Sequence, residues 1–443
     1  MLAGDPRVPG RSRRSVTHGI VDHFFRHANG RLVAALLRAL GPEHLDLAEE
    51  SVQDAFLQAM KVWPMRGVPD RPEAWLYRTA RNRAIDRLRR SARFSERAEA
   101  VAADVAPVHP SDAHFPGEVV DDPLRLVFLC CDPVLPRASR VALTLKVAAG
   151  FSTREIARAF LTTEATMAQR IVRAKRRLRE AGPPFRIPGP AELRERLDAV
   201  LDVLYLVFSE GYRPHEGEEA VRRDLTDEAI RLTRLLLEHP AGRAPRVHAL
   251  LALMLLQSSR LDARLDDDGA LIPLPEQDRS RWDRARVDEG LRELERAGRG
   301  DELTELHVLA GISACHAMAS RPEDTDWERI ASLYDELAEA GGGDVVALNR
   351  AVAVSYASGP EAGLECLDEL ADSPVLKEYA FHFAARGDVL RRLDREGEAR
   401  AAYQEAARLA TNGPERRDYE RQARGGRSSP GSEHSPGTPH FPR

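Results

Sequence analysis

Residues Ser152 to Leu178 (STREIARAFLTTEATMAQRIVRAKRRL) constrain the local fold more than any other stretch of the chain. Ser152 followed three residues later by Glu155 forms a capping box, which starts a helix. Ile156, Ala157 and Phe160 give that helix an apolar face, and Thr162 and Thr163 can end it and cap the next. In the second helix Met167, Ile171, Ala174 and Leu178 recur at spacings of four, three and four, the pattern of a buried stripe. The remaining faces carry Glu164, Thr166, Gln169, Arg170, Arg173, Lys175, Arg176 and Arg177. Two short helices about a turn apart, the second polar and basic outside, match the helix-turn-helix pattern. Its N-terminal side chains would reach base edges, and the later cations would neutralise phosphates. A solvated amphipathic helix fits the same spacing.

Two earlier segments share this helical period. In Trp75–Arg90 (WLYRTARNRAIDRLRR), Leu76, Ala80, Ala84 and Leu88 define a core side, and Trp75, Arg78, Asn82 and Arg89 fall opposite. An aromatic, an amide and arginines on one face suit a nucleic-acid strand, the ring stacking on a base and the arginines holding phosphates. Trp75 as a core anchor is the other reading, since tryptophan is usually well buried. In Asp46–Lys61 (DLAEESVQDAFLQAMK), Ala48, Val52, Ala55, Phe56 and Ala59 make the apolar face, while Glu49, Glu50, Gln53, Asp54 and Gln58 lie elsewhere. An acidic helix beside a basic one points to a protein partner; a solvated face is the bland alternative.

The charge distribution supports a division of labour. Arginine outnumbers lysine 61 to 4 along the whole chain, a compositional bias that by itself says nothing about nucleic acid. Residues 1–190 carry 31 basic and 21 acidic side chains, whereas residues 191–443 carry 34 and 49. A basic half suits a polyanion, and the acidic half must do something else. The longest apolar stretch, Val247 to Leu256, is interrupted by His248 and falls short of the ~20 residues of a membrane span. The basic N-terminus has no apolar segment after it, so it is not a secretory signal. A cytoplasmic protein without membrane association is expected. Cys130, Cys131, Cys315 and Cys366 form no CxxC pair and read as small buried hydrophobes.

The chain is expected to be all-α: two small helical domains joined by a linker, followed by a larger helical domain. Residues 1–15 read as disordered, 16–91 as a first helical domain, 92–118 as a linker and 119–181 as the helix-turn-helix domain. A Gly/Pro-punctuated linker follows at 182–190, then helices over 191–423 and a disordered tail over 424–443. Near the end, Gly359-Pro360-Glu361-Ala362 and Gly397-Glu398-Ala399 repeat weakly. They resemble tetratricopeptide units, clearest over 380–411; an irregular helical bundle is the alternative.

Enzymatic chemistry finds no support. His23 and His27 lack a partnering Glu, and Phe24-Phe25 reads as core. Asp266-Asp267-Asp268-Gly269 fails the calcium-loop pattern, with Arg264 and Pro275 at the first and twelfth ligand positions. Glu276, Asp278 and Asp283 match no catalytic spacing, and no phosphate-binding Gly-rich loop exists. No catalytic residue, cofactor or metal is expected. A plain helix-turn-helix regulator with a helical sensor would explain 152–178 but not the paired helices at 46–61 and 75–90. A helical scaffold would leave the first 181 residues unexplained.

The three segments in this order resemble an extracytoplasmic-function sigma factor of bacterial RNA polymerase. DLAEESVQDAFLQAMKVWP is similar to the core-binding helix of region two, and PEAWLYRTARNRAIDRLRR to its promoter-melting helix. STREIARAFLTTEATMAQRIVRAKRRL is similar to the region-four helix-turn-helix, with Leu161 where glycine is often found and Met167 where valine is usual. DDPLRLVFLCCDPVLPRASRVALTLKVAAG, VLYLVFSEGY, PEQDRSRWDR, EDTDWERIASLYD and VVALNRAVAV resemble the subgroup with a C-terminal tetratricopeptide-like domain, in which Cys130 and Cys131 sit inside a helix.

The resemblance implies roles for named residues. Thr153, Arg154, Glu164, Thr166, Gln169, Arg170, Arg173, Lys175 and Arg176 would meet the −35 element. Trp75, Arg78, Arg81, Asn82 and Arg89 would open and read −10, together with the loop from Trp63 to Pro72. Asp46, Glu49, Glu50, Gln53, Asp54 and Gln58 would dock on the β′ clamp helices of core polymerase, and region four on the β flap. Promoter DNA and core RNA polymerase are the implied partners. The acidic C-terminal domain would regulate the factor and present a surface to a protein or peptide.

Overall fold

In the computed structural model, residues 28–90 and 121–425 are described, apart from residues 161, 215–220, 267–270 and 273. The expected segments 1–15 and 92–118 lie outside the described residues, as do His23, His27, Leu161 and nearly all of 424–443. The described chain is helical throughout; its only extended pairing is an isolated bridge between Leu265 and Leu271. It divides into two compact units, Met1–Val203 and Leu204–Arg443.

In the first unit, helix α1 (28–40) precedes α2 (Leu45–Arg66) and α3 (Pro72–Arg90). The stripes read from sequence are the buried ones: Ala48, Val52, Ala55, Phe56 and Ala59 on α2, and Leu76, Ala80, Ala84 and Leu88 on α3. Alanines at the seam let the two backbones come close. Gly67, at φ 84°, ends α2, and its N–H bonds the Trp63 carbonyl.

Helices α4 (Asp121–Cys130) and α5 (Arg137–Leu143) follow, α5 running into a π turn at Thr144–Ala148. Next come α6 (Thr153–Ala159) and α7 (Glu164–Ala181). The Ser152 capping box forms in both directions, Glu155 N–H to Ser152 Oγ at 3.1 Å and Ser152 N–H to Glu155 Oε2 at 2.7 Å. Thr163 caps α7 by accepting from the Thr166 N–H, and Gly182, left-handed at φ 58°, ends it. Met167, Ile171, Ala174 and Leu178 are all buried. Cys130 closes α4 and Cys131 lies just beyond it; both are buried free thiols, and Cys131 contacts Thr144 Oγ1 at 3.5 Å.

Helix α8 (Pro190–Tyr212) runs unbroken through the point where the two units divide. The Pro-rich 182–190 stretch punctuates the chain, but the compact units part at Val203/Leu204, inside a helix with no internal breaker. The start of α8 belongs to the first unit: Arg196 bonds Asp132 and the Phe128 carbonyl, and Arg137 lies 3.6 Å from Asp202.

The second unit continues with α9 (Arg223–Glu238), α10 (Pro245–Ser258), α11 (Arg284–Ala297), α12 (Glu305–Met318) and α13 (Trp327–Glu339). It ends with α14 (Asp344–Ala357), α15 (Pro360–Glu369), α16 (Ala380–Arg392), α17 (Glu396–Leu409) and α18 (Gly413–Ala423). The apolar run of residues 247–256 lies in α10, where every residue except His248 is buried. A helix apolar all round has to sit at a core. No helix among the described residues is long and apolar enough to cross a membrane. Later helices pack as neighbours. Gly387 of α16 meets the Tyr403 ring of α17 so closely that a Cβ would sit 2.9 Å from it, and Asp394, at φ 58°, turns the chain between them.

Candidate nucleic-acid interface

Helix α7 presents most of the side chains assigned to DNA. Glu164, Thr166, Gln169, Arg173, Arg176 and Arg177 are exposed on the faces away from its buried stripe, and Arg170 is half-buried. On α6, Arg154 is exposed and Thr153 half-exposed. Val172, 64% exposed among these polar groups, was not singled out from the sequence; an apolar side chain on such a face can meet a thymine methyl.

Lys175 is placed differently. Its side chain is 12% exposed, and its Nζ lies 2.6 Å from Glu49 Oε2 and 3.0 Å from Asp46 Oδ1. Burial would lower the Lys175 pKa, but the two carboxylates outweigh it and hold the ammonium above its ordinary value. Arg179, one turn on, pairs with Asp46 as well. In this structure Lys175 therefore faces α2 and is not on the outward basic face with Arg173 and Arg176.

The acidic face of α2 is correspondingly occupied. Glu49 is buried, at 4% exposure, and Lys146 Nζ also approaches it at 3.5 Å. Gln53 donates to Glu49 at 3.1 Å. Glu50 and Asp54 share Arg87 of α3, the Asp54 bond at 2.9 Å. Gln58 is half-exposed. The sequence pattern did not reveal Lys146 and Arg87 as partners of this face, because both pairings depend on tertiary packing.

On α3, Arg78, Asn82 and Arg89 are exposed, and Arg81 is half-buried. Trp75 is half-buried, its ring edge-on to Trp63 at 5.7 Å. It is thus a partial anchor with one side still accessible. Leu57 and Met65 of α2 and Val68 just after it are 55%, 79% and 40% exposed, apolar side chains not singled out in the sequence.

In the second unit an open cavity of ≈ 660 Å³ lies among α11, α12 and α13, lined by Leu303, Cys315, Met318 and Arg329 among others. No group of three metal-ligating side chains occurs among the described residues.

This geometry, a helical hairpin followed by a capped helix-turn-helix, agrees with the family comparisons. Residues 25–94 match the sigma-70 region 2 model, and residues 127–178 match the sigma-70 region 4 model. The chain thus carries sigma-70 region 2 and region 4 domains, which support an RNA polymerase sigma factor and imply binding to core polymerase and promoter DNA. Residues 196–298 match a family of unknown function, DUF6596. The chain belongs to one family with an uncharacterized protein, R00370, of Rhizobium meliloti (strain 1021), being 44% identical over 409 residues that span 90% of this chain and 93% of the relative. No solved structure matches the chain.

Proposed function

We propose that this chain is a cytoplasmic extracytoplasmic-function sigma factor that reads −35 with α6 and α7, melts and reads −10 with α3, and is regulated by its own helical C-terminal unit. The observation that carries the reading is the order of the parts: an acidic helix, a basic helix bearing Trp75, then a doubly capped helix-turn-helix. Thr166, Gln169 and Arg170 contact −35 bases, with Thr153, Arg154 and Glu164 at the entry of the groove. Arg173 and Arg176 hold phosphates, and Lys175 joins them once released from α2. Trp75 stacks on an unpaired −10 base, while Arg78, Arg81, Asn82 and Arg89 hold the strand. Asp46, Glu49, Glu50, Gln53, Asp54 and Gln58 meet the β′ clamp helices, and region four meets the β flap. The factor makes and breaks no bond; phosphodiester chemistry belongs to the polymerase.

The C-terminal unit is tetratricopeptide-like in this reading, and the open groove along α12 and α13 is the surface it offers to a protein or peptide. The test compares the full chain with a chain ending at Val203, which keeps the Arg196–Asp132 pair. Regulation predicts a change in basal or induced promoter output with core affinity retained. Equal output in both conditions would sink it.

A further inference from the structure

We propose that a charge clamp between α2 and α7 holds the free chain closed, and that core polymerase must displace it because both compete for Asp46 and Glu49. The identity of the competitor rests on the sigma reading above. Two cations of one helix, Lys175 and Arg179, reach two carboxylates of another, Asp46 and Glu49, which are the side chains assigned to polymerase. Glu49 has almost no exposure of its own, so a partner cannot reach it while Lys175 is in place.

The contact extends beyond the ion pairs. Asn29 Nδ2 donates to the Val147 carbonyl at 2.9 Å. Gly30 lies so near the Ala148 carbonyl that a Cβ would fall 2.2 Å from its oxygen. Arg38 lies 3.3 Å from Asp122, whose side chain is buried. Helices α1 and α2 are thus seated on α4, α7 and the π turn by these contacts.

The closed form blocks the two partners unequally. Arg173, Arg176 and Arg177 stay exposed on α7, so phosphates remain within reach, whereas on α2 Glu49 is covered and Asp46, its side chain still 45% exposed, is paired with Lys175 and Arg179. A chain whose competent form is a minor population binds with an apparent affinity reduced by that fraction. Removing the clamp cations raises the fraction and leaves the α2 carboxylates intact.

The test uses the full chain carrying Lys175→Gln and Arg179→Gln, with Lys175→Arg as the charge-keeping control. Affinity for sigma-free core polymerase is measured by titration. The α3–α7 separation is measured by paired spin labels at Asp86→Cys and Glu180→Cys, both exposed positions, with Cys315 and Cys366 as serine. The double variant should bind core about tenfold more tightly, equivalent to ~1.4 kcal/mol, and its free-state distance should lengthen. The control should match the unsubstituted chain in both. Unchanged distance, or core affinity that stays equal or falls in a folded double variant, would overturn the clamp. An unsubstituted chain that binds no core polymerase, while the distance still lengthens on substitution, would overturn the polymerase reading and leave the closed form supported.

Discussion

Replacing Arg173 and Arg176 with alanine should flatten the salt dependence of DNA binding by a calculable amount. Both guanidinium groups are exposed on α7, outside its buried stripe, and neither is held by α2. Each phosphate contact contributes a slope of about −0.9 in log K against log salt. Losing two should reduce the slope by about 1.8. Over an approximately fourfold rise in salt, the unsubstituted chain should therefore lose about 12-fold more affinity than the double variant. The assay is fluorescence anisotropy on a nonspecific duplex across a salt series, with helicity checked by circular dichroism. Parallel slopes in a folded double variant would show that α7 does not lie along the DNA backbone, and the assignment of its outer face would be refuted.

Three other outcomes follow from single contacts. Arg213→Ala should cost about 3–5 kcal/mol in the stability of the second unit, because it leaves buried Glu415 without the guanidinium 2.5 Å away; an unchanged denaturant midpoint would contradict this. His316 is pushed down to about 3 by burial and by Arg260 and Arg279. Its folded pKa lies below the unfolded value, so its contribution is present above about 6.5 and is lost as pH falls, by about 2 kcal/mol at about pH 5. A His316→Gln variant should show a flatter stability profile over that window, and identical profiles would dismiss the residue as the cause. Trp75→Ala should reduce permanganate reactivity of −10 thymines roughly 5- to 150-fold at unchanged core affinity, following a stacking contribution of about 1–3 kcal/mol per base; Trp75→Phe should retain most of it, and equal opening by both variants would return Trp75 to a packing role.

What could be read from the sequence was local. The stripe of Met167, Ile171, Ala174 and Leu178 depends only on the helical period, and the Ser152–Glu155 box on three-residue spacing, so both are found as expected. The clamp was not legible in this way: Arg179 and Asp46 are 133 residues apart, and nothing in either helix alone says they meet. Lys175 reads like its neighbours Arg173 and Arg176 until packing turns it inward. The apolar run of residues 247–256 could be excluded as a membrane span, but its near-complete burial emerges only when surrounding helices cover it. The division at Val203/Leu204 is likewise hidden, since breakers mark the start of α8 at Pro190 and nothing marks its interior.

The central claim is tested most directly by transcription in vitro, with the purified full chain, sigma-free core polymerase and fragmented genomic DNA, mapping transcript starts by sequencing. The account predicts discrete starts that depend on this chain and share two upstream motifs, near −35 and −10. Absence of chain-dependent starts from both the full chain and the chain ending at Val203, together with no binding to core polymerase, would contradict it.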